Sequence, residues 1–160
     1  MKPLSLIAAL SVALAFASPA VAATVPLKGT FAAVEIDVVP PPFTILYVSG
    51  SGTGQSTQLG RYTITFSAQV DLSTGTTVPG TGVMEITAAN GDKLFATFAG
   101  VGTPTANPAV FSVVENVTIT SGTGRFVNAT GSFTLQRLAD LTTGLSSGSF
   151  SGTISTPGKP

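Results

Sequence analysis

The 160-residue chain contains no cysteine, no histidine and no tryptophan, and only 9% of its residues are charged. Without cysteine it can form no disulfide bond and cannot carry the lipid anchor that some exported proteins attach to a cysteine. Without cysteine and histidine it lacks the usual zinc ligands, and every catalytic triad that depends on imidazole is excluded. We therefore expect no metal and no cofactor, and a fold stabilised by burial alone.

The charges that are present do not cluster. Seven basic residues balance seven acidic ones, and both kinds are scattered singly along the chain. A nucleic-acid-binding surface needs a basic face that neutralises phosphates. We therefore expect no nucleic-acid partner.

The first 23 residues are typical of a secretory signal. Lys2 precedes an apolar run from Leu4 to Phe16, and the following alanine-rich stretch ends in the small residues of a cleavage site. The run is shorter than the roughly 20 residues that a membrane-spanning helix requires. The sequence predicts a signal peptide at 1–23, cleaved after Ala22 or Ala23, and a secreted or periplasmic bacterial protein with no membrane attachment after cleavage.

Beyond residue 23, apolar residues recur with the two-residue period of β-strands. From Arg61 to Asp71, for example, Tyr62, Ile64 and Phe66 alternate with polar residues. Turn-forming residues separate eight such stretches, and the glycine run 50–54 is predicted to be one of these turns. The predicted strands are 29–39, 43–49, 61–71, 81–88, 93–100, 110–120, 130–139 and 147–155.

Eight short strands without a helical segment predict an all-β fold. A closed antiparallel eight-stranded β-barrel leaves no exposed strand edge, and a two-sheet sandwich is the main alternative. We expect one barrel domain over 24–155 and a flexible C-terminal tail at 156–160. An outer-membrane barrel is allowed by size, but the aromatic girdles that it needs are missing.

The pair Asn90-Gly91 is the strongest local turn signal. It predicts a two-residue type I′ hairpin turn, in which Glu85 faces Ala96. Neither face of this hairpin is plainly polar. This is typical of a closed barrel whose outside is partly covered, for example by sister subunits.

A glycine-rich corner follows, Ser121-Gly-Thr-Gly-Arg-Phe126, with Ala-Thr-Gly-Ser at 129–132. Together with the Asn-Gly-Asp hairpin it resembles the allene oxide cyclase and dirigent barrel family, whose corner has a glycine where this chain has Ser121. The likeness covers about 50–152, and 52–61 is similar to a segment of small secreted bacterial relatives. It implies an eight-stranded barrel, commonly trimeric, that holds a small hydrophobic or phenolic molecule.

Two lone charges interrupt apolar rows on neighbouring strands, Glu115 and Arg137. If these strands form a hairpin around the glycine corner, the two side chains face each other and can orient the carbonyl or hydroxyl of a ligand. A structural ion pair, or an outward pair at a subunit contact, is the alternative. The ligand-binding candidates are Glu115, Arg137, Tyr62 and Phe66, and no residue can be assigned a catalytic role.

Two further carboxylates, Glu35 and Asp37, share one face of the first predicted strand. At a cavity mouth they would act as acid and base, because mutual repulsion raises one pKa. The aliphatic row on the opposite face, which includes Val34, Ile36 and Val38, favours another interpretation. In that interpretation the carboxylates form the solvent side of an amphipathic strand.

Three functions are consistent with these features. The first is a secreted or periplasmic barrel that binds a small hydrophobic molecule, as in dirigent proteins, with no assignable reaction. The second is a cyclase or isomerase of the same barrel family. The third is a structural or surface-assembly protein, for which low charge and abundant Ser, Thr and Gly are ordinary.

Overall fold

The computed structural model describes residues 23–156. The predicted signal peptide, except Ala23, and the tail residues 157–160 lie outside these residues. Within 23–156 the chain forms nine β-strands and one 3-10 helix, and none of its helices has the length and apolar character needed to cross a membrane. The prediction of an all-β fold is confirmed.

Each of the eight predicted strands is present, and a two-residue strand is added. The 3-10 helix, Gly124–Phe126, lies between the seventh and eighth strands. The strands are β1 (Ala23–Val38), β2 (Ile45–Ser56), β3 (Gly60–Asp71), β4 (Thr76–Thr77), β5 (Gly82–Ala88), β6 (Lys93–Pro104), β7 (Val110–Gly122), β8 (Thr130–Asp140) and β9 (Leu145–Thr156).

The strands form a single antiparallel sheet that closes into a ring. The eight long strands follow one another around it in the order β1, β2, β3, β5, β6, β7, β8 and β9, and β9 pairs with β1 from Ala23↔Thr156 to Val34↔Leu145. The short β4 continues the ring between the ends of β3 and β6, beyond Gly82, where β5 begins. Closure satisfies the backbone groups of both edges, and the two-sheet sandwich is excluded.

The glycine run at 50–54, predicted as a turn, instead lies inside β2 and pairs with both β1 and β3. Three of its glycines face the interior of the ring. A Cβ atom at Gly50 would collide with the ring of Phe66, and one at Gly54 with the ring and hydroxyl of Tyr62. The glycines are needed because aromatic side chains of the neighbouring strand lie directly over them, and the turn falls at 57–59 instead.

The pairing of an inward aromatic residue with a glycine recurs around the ring. At Gly29, Gly50 and Gly54 the ring of the cross-strand neighbour fills the space that the glycine leaves, which is the packing known from aromatic–glycine pairs in sheets. The pairs are Phe66 with Gly50, Tyr62 with Gly54, Phe98 with Gly82, Phe133 with Gly152, and Phe150 with Gly29.

The β5–β6 hairpin turns at Asn90-Gly91, but the predicted type I′ turn is wrong. The carbonyl of Ala88 accepts the Gly91 N–H at 2.9 Å, and the Ala88 N–H donates to Asp92 O at 2.9 Å, so the loop has three residues. Only Gly91 has a positive φ, of 86°. Asn90 contributes through its side chain instead, since its Nδ2 donates to Asp92 Oδ2 at 2.6 Å.

The longer loop moves the hairpin register by one residue. Glu85 pairs with Phe95, where the two-residue turn predicted Ala96. Because a slip of one residue exchanges the faces of a strand, Ala96 lies on the face opposite to Glu85 instead of beside it. Met84 on β5 therefore packs inward beside Ala96.

The two sequence signatures meet at one end of the ring. The glycine corner folds into the 3-10 helix, and its Phe126 is 1% exposed. Asp92 of the hairpin accepts the N–H of Arg125 at 3.3 Å, and Arg125 donates to the carbonyl of Leu59 at 3.3 Å. This half of the interior is filled by fully buried side chains, which are Leu27, Leu59, Ile86, Leu94, Val117, Phe126 and Ile154.

Candidate functional site

The carboxylates of β1 face the interior, although the sequence favoured a strand with its carboxylates toward solvent. Glu35 is buried with 8% exposure, whereas the aliphatic Val34, Ile36 and Val38 are 55%, 67% and 54% exposed. The assignment of Glu35 to a solvent side is therefore wrong. The physical reason is Arg137, which also faces the interior and would be very costly to bury without a counter-ion.

The outward aliphatic row gives β1 an apolar outer surface. It continues onto the adjacent strands through Tyr47 on β2, which pairs with Val38, and Leu145 on β9, which pairs with Val34. A surface of this kind was expected where sister subunits cover the outside. The homo-oligomer, a trimer by resemblance, stays a prediction.

Arg137 is the centre of a buried ion cluster. Its Nη1 donates to Glu35 Oε1 and, at 3.2 Å, to Ser146 Oγ, while its Nη2 donates to Glu115 Oε1 at 3.2 Å. The side chains of Arg137, Glu35 and Glu115 are 8%, 5% and 7% exposed. The predicted approach of Glu115 and Arg137 is confirmed, with a second carboxylate added from β1.

The register between β7 and β8 brings Glu115 and Arg137 together diagonally. Arg137 pairs with Val113, and Glu115 with Leu135, so the two charges are offset by two residues on the same inward face. The hairpin predicted around the glycine corner pairs β7 and β8 in a register that differs from this one by one residue. The long guanidinium side chain spans the offset, because diagonal neighbours lie within reach of long side chains.

Each member of the cluster pairs with a glycine on a neighbouring strand, and two of these glycines make room for the charged side chain itself. Glu35 pairs with Gly50, Glu115 with Gly100, and Arg137 with Gly148. A Cβ atom at Gly100 would lie 2.6 Å from Glu115 Cγ, and one at Gly148 would lie 2.8 Å from Arg137 Cβ. Glycine at these positions lets the charged side chains lie against the backbone of the next strand.

A cavity of about 190 Å³ lies beside this cluster. It occupies the end of the ring where β2 and β7 begin and β3 and β8 end, opposite the filled half. Glu35, Asp37, Glu115 and Arg137 line one side. The rest of the lining is mainly apolar and includes Leu46, Val48, Phe66, Phe98, Phe111 and Leu141.

Of the four predicted ligand-binding residues, the structure brings three together. Glu115, Arg137 and Phe66 line the cavity, and the Arg137 Cζ lies 5.7 Å from the centroid of the Phe66 ring, within cation–π range. Tyr62 does not line the cavity. It is 4% exposed, its hydroxyl donates to the carbonyl of Thr30 at 2.9 Å, and burial raises its pKa.

Burial is the main influence on the ionisation of the cluster. It raises the pKa of Glu115, which Arg137 lowers in part. It also raises the pKa of Asp37, with a further rise from the charge of Glu35. Burial alone would lower the pKa of Arg137, but its two carboxylate neighbours outweigh this and raise it, so the guanidinium stays charged.

Asp37 is the unsatisfied member of the site. Among residues 23–156, no donor bonds its Oδ1, although that atom is buried. Asp37 and Glu35 are the carboxylate pair of the first predicted strand and were not among the predicted ligand-binding residues. The signal that identifies them is an inward arginine on β8, which requires inward carboxylates elsewhere in the ring.

The chemistry available to this site is limited to hydrogen bonding, charge and proton transfer by a carboxyl group of raised pKa. Comparison with known proteins adds nothing to this. No protein-family model, no curated protein and no solved structure matches the chain.

Proposed function

We propose that the protein binds a small, mainly apolar molecule in the cavity at the open half of the ring. The observation that carries the proposal is the cavity of about 190 Å³, apolar over most of its lining and bounded on one side by a buried ion cluster. An apolar protein cavity of about 150 Å³ holds one benzene molecule. The space here therefore suits a molecule of about one ring.

The contrast between the two halves of the interior supports a binding role. Protein interiors are close-packed, and an unfilled apolar space lowers stability. The half of the ring near Phe126 is filled, so the fold is able to pack its interior, yet the half near Arg137 is left open. Buried ion pairs add little net stability, so the cluster is also better explained by recognition than by structure.

The proposal extends to the family that the sequence resembles. The closed antiparallel ring of eight long strands suits the barrel of the allene oxide cyclase and dirigent group. We assign the chain a dirigent-like role, binding without an assigned reaction, in the secreted or periplasmic location that its first residues predict. A cyclase or isomerase is the second candidate, favoured by Glu115, a carboxyl of raised pKa on the cavity wall.

The binding site is tested by filling it. Ala68 lies on the cavity wall and is 7% exposed, so Ala68→Leu places extra carbon atoms in the cavity. We expect toluene, titrated into the protein and followed by chemical shifts of methyl groups in NMR spectra, to bind the wild type at millimolar concentration. We expect Ala68→Leu to weaken this binding about tenfold or more.

The control is Ser67→Leu, an equal gain of apolar volume at the adjacent, outward-facing position of β3. It should leave toluene binding unchanged. Thermal unfolding of both variants shows that they are folded. If the wild type does not bind toluene, or if Ala68→Leu binds it as well as the wild type does, the cavity is not the binding site.

A further inference from the structure

We infer that the cavity selects molecules that carry a cationic hydrogen-bond donor, an ammonium group on a body of about one apolar ring, and rejects carboxylates. This inference rests on the proposed function and concerns the same site. Three observations support it: the occupied donors of Arg137, the excess of carboxylates in the cavity wall, and the unpartnered oxygen of Asp37.

Arg137 is not free to recognise an anion. Its Nη1 already donates to Glu35 and Ser146, and its Nη2 to Glu115. A ligand carboxylate would have to displace one of these partners, and the displaced carboxylate would be left buried and unpaired. An arginine in a buried pocket commonly indicates an acidic ligand, but here the protein supplies its own acids.

The cavity wall carries more negative than positive charge. Glu35, Asp37 and Glu115 line it together with a single basic residue, Arg137. The guanidinium bonds both glutamates, which leaves the charge of Asp37 without a bonded counter-ion among the described residues. A cation placed in this cavity is attracted more strongly than in water, because the surrounding apolar side chains screen charge weakly.

Asp37 supplies the acceptor. It lies on the cavity wall one inward position beyond Glu35, and its Oδ1 is buried without a hydrogen-bond partner in residues 23–156. Nearly all buried polar atoms in proteins have partners, and a bound donor would supply one to the carboxylate of Asp37. A charge-assisted bond from an ammonium is stronger than a bond from a neutral donor.

The apolar part of the lining suits the rest of such a ligand. The rings of Phe66, Phe98 and Phe111 border the cavity, and the volume of about 190 Å³ accommodates one ring with a short side chain. Aromatic faces also attract cations, as the Arg137 guanidinium over Phe66 shows. An aromatic or aliphatic primary amine therefore matches both parts of the cavity.

The experiment compares three molecules of nearly equal size: benzylamine, toluene and benzoate. Each is titrated at neutral pH into the protein, and binding is followed by methyl chemical shifts and by calorimetry. We expect benzylamine to bind about tenfold more tightly than toluene, and benzoate to bind more weakly than either. Asp37→Asn, which keeps the shape of the side chain, should remove most of the preference for benzylamine over toluene, measured as the ratio of the two affinities.

The control variant is Glu85→Gln, which removes a carboxylate from the outer face of β5, where it pairs with Lys93. It should leave all three affinities unchanged. Asp37→Ser provides a second variant in case Asp37→Asn is not folded, as judged by thermal unfolding. Toluene binding equal to that of benzylamine, a preference for benzoate, or a benzylamine preference that survives loss of Asp37 would overturn the inference while the proposed function stands. If none of the three molecules binds, the proposed function itself fails.

Discussion

Replacing Arg137 with methionine tests whether the buried cluster is held together by its one positive charge. Methionine keeps most of the length and apolar volume of the side chain but removes every donor. Glu35 and Glu115 would then lie in the interior without the guanidinium that bonds them both. Their mutual repulsion would add to the cost of their burial.

The magnitude follows from the burial of the three side chains, each 8% exposed or less. Removal of one partner from a buried ion pair typically costs 3–5 kcal/mol, since it leaves an uncompensated charge. We expect Arg137→Met to lower the free energy of unfolding by about 3–5 kcal/mol at neutral pH, a large part of the 5–15 kcal/mol typical of a domain. Part of this loss should return at mildly acidic pH, because burial raises the pKa of Glu115 and that carboxyl group takes up a proton more readily.

The assay is urea unfolding at pH 7 and pH 5, followed by circular dichroism of the sheet. The matched control is the triple variant Arg137→Met with Glu35→Gln and Glu115→Gln, which removes all three charges. It should be more stable than Arg137→Met alone at pH 7 and should show little difference between the two pH values. A loss below about 1 kcal/mol at pH 7, or a loss equally large at both pH values, would refute the reasoning, because a cluster of unpaired buried charges cannot behave in either way.

Two other predictions follow from the interior. Burial raises the pKa values of Asp37 and Glu115 above their ordinary 3.8 and 4.5, so the folded state binds protons more readily than the unfolded state, and stability should increase as the pH falls from 7 toward 4.5. The double variant Asp37→Asn with Glu115→Gln should lose this increase. Unfolding midpoints of the wild type that decline over this range would contradict the prediction. Gly50→Val should lower the free energy of unfolding by about 1–3 kcal/mol, because the valine side chain collides with Phe66. Ser51→Val, at the next, outward position, is the control and should change this free energy by less than about 0.5 kcal/mol. Equal unfolding midpoints in urea for the two variants would show that Gly50 is not needed for close packing.

The strands themselves were predictable because their signal is local. In β3 the large residues Tyr62, Ile64 and Phe66 alternate with polar ones, and a period of two identifies a strand wherever it occurs. Closure of the ring was predictable for a similar reason, since many short strands without helices leave few arrangements without open edges. The proximity of Glu115 and Arg137 also followed from the hairpin that joins their strands.

The errors lie where the information is not local. The loop at Asn90-Gly91 has one residue more than predicted, with the Asn90 side chain bonded to Asp92, and this residue moved the register between β5 and β6 by one position. The glycines of β2 looked like a turn because the ring that covers Gly50 belongs to another strand. Both faces of β1 bear residues that suit an interior, and only the position of Arg137, far along the chain, decides that its carboxylates point inward.

The pairing of β1 with β9 joins the first described strand to the last. Every other neighbouring pair of long strands is consecutive along the chain, apart from the passage of β4 between β3 and β5. Most pairings therefore join strands that are close in the sequence, and the ring is closed by the pairing that is most distant in the sequence. A nascent chain can form most of its hydrogen bonds early, yet until the ninth strand has been synthesised the edges of β1 and β8 remain open to pairing with other molecules. Truncation that removes β9 is expected to cause more aggregation than its length suggests, because it converts a closed sheet into one with two exposed strand edges.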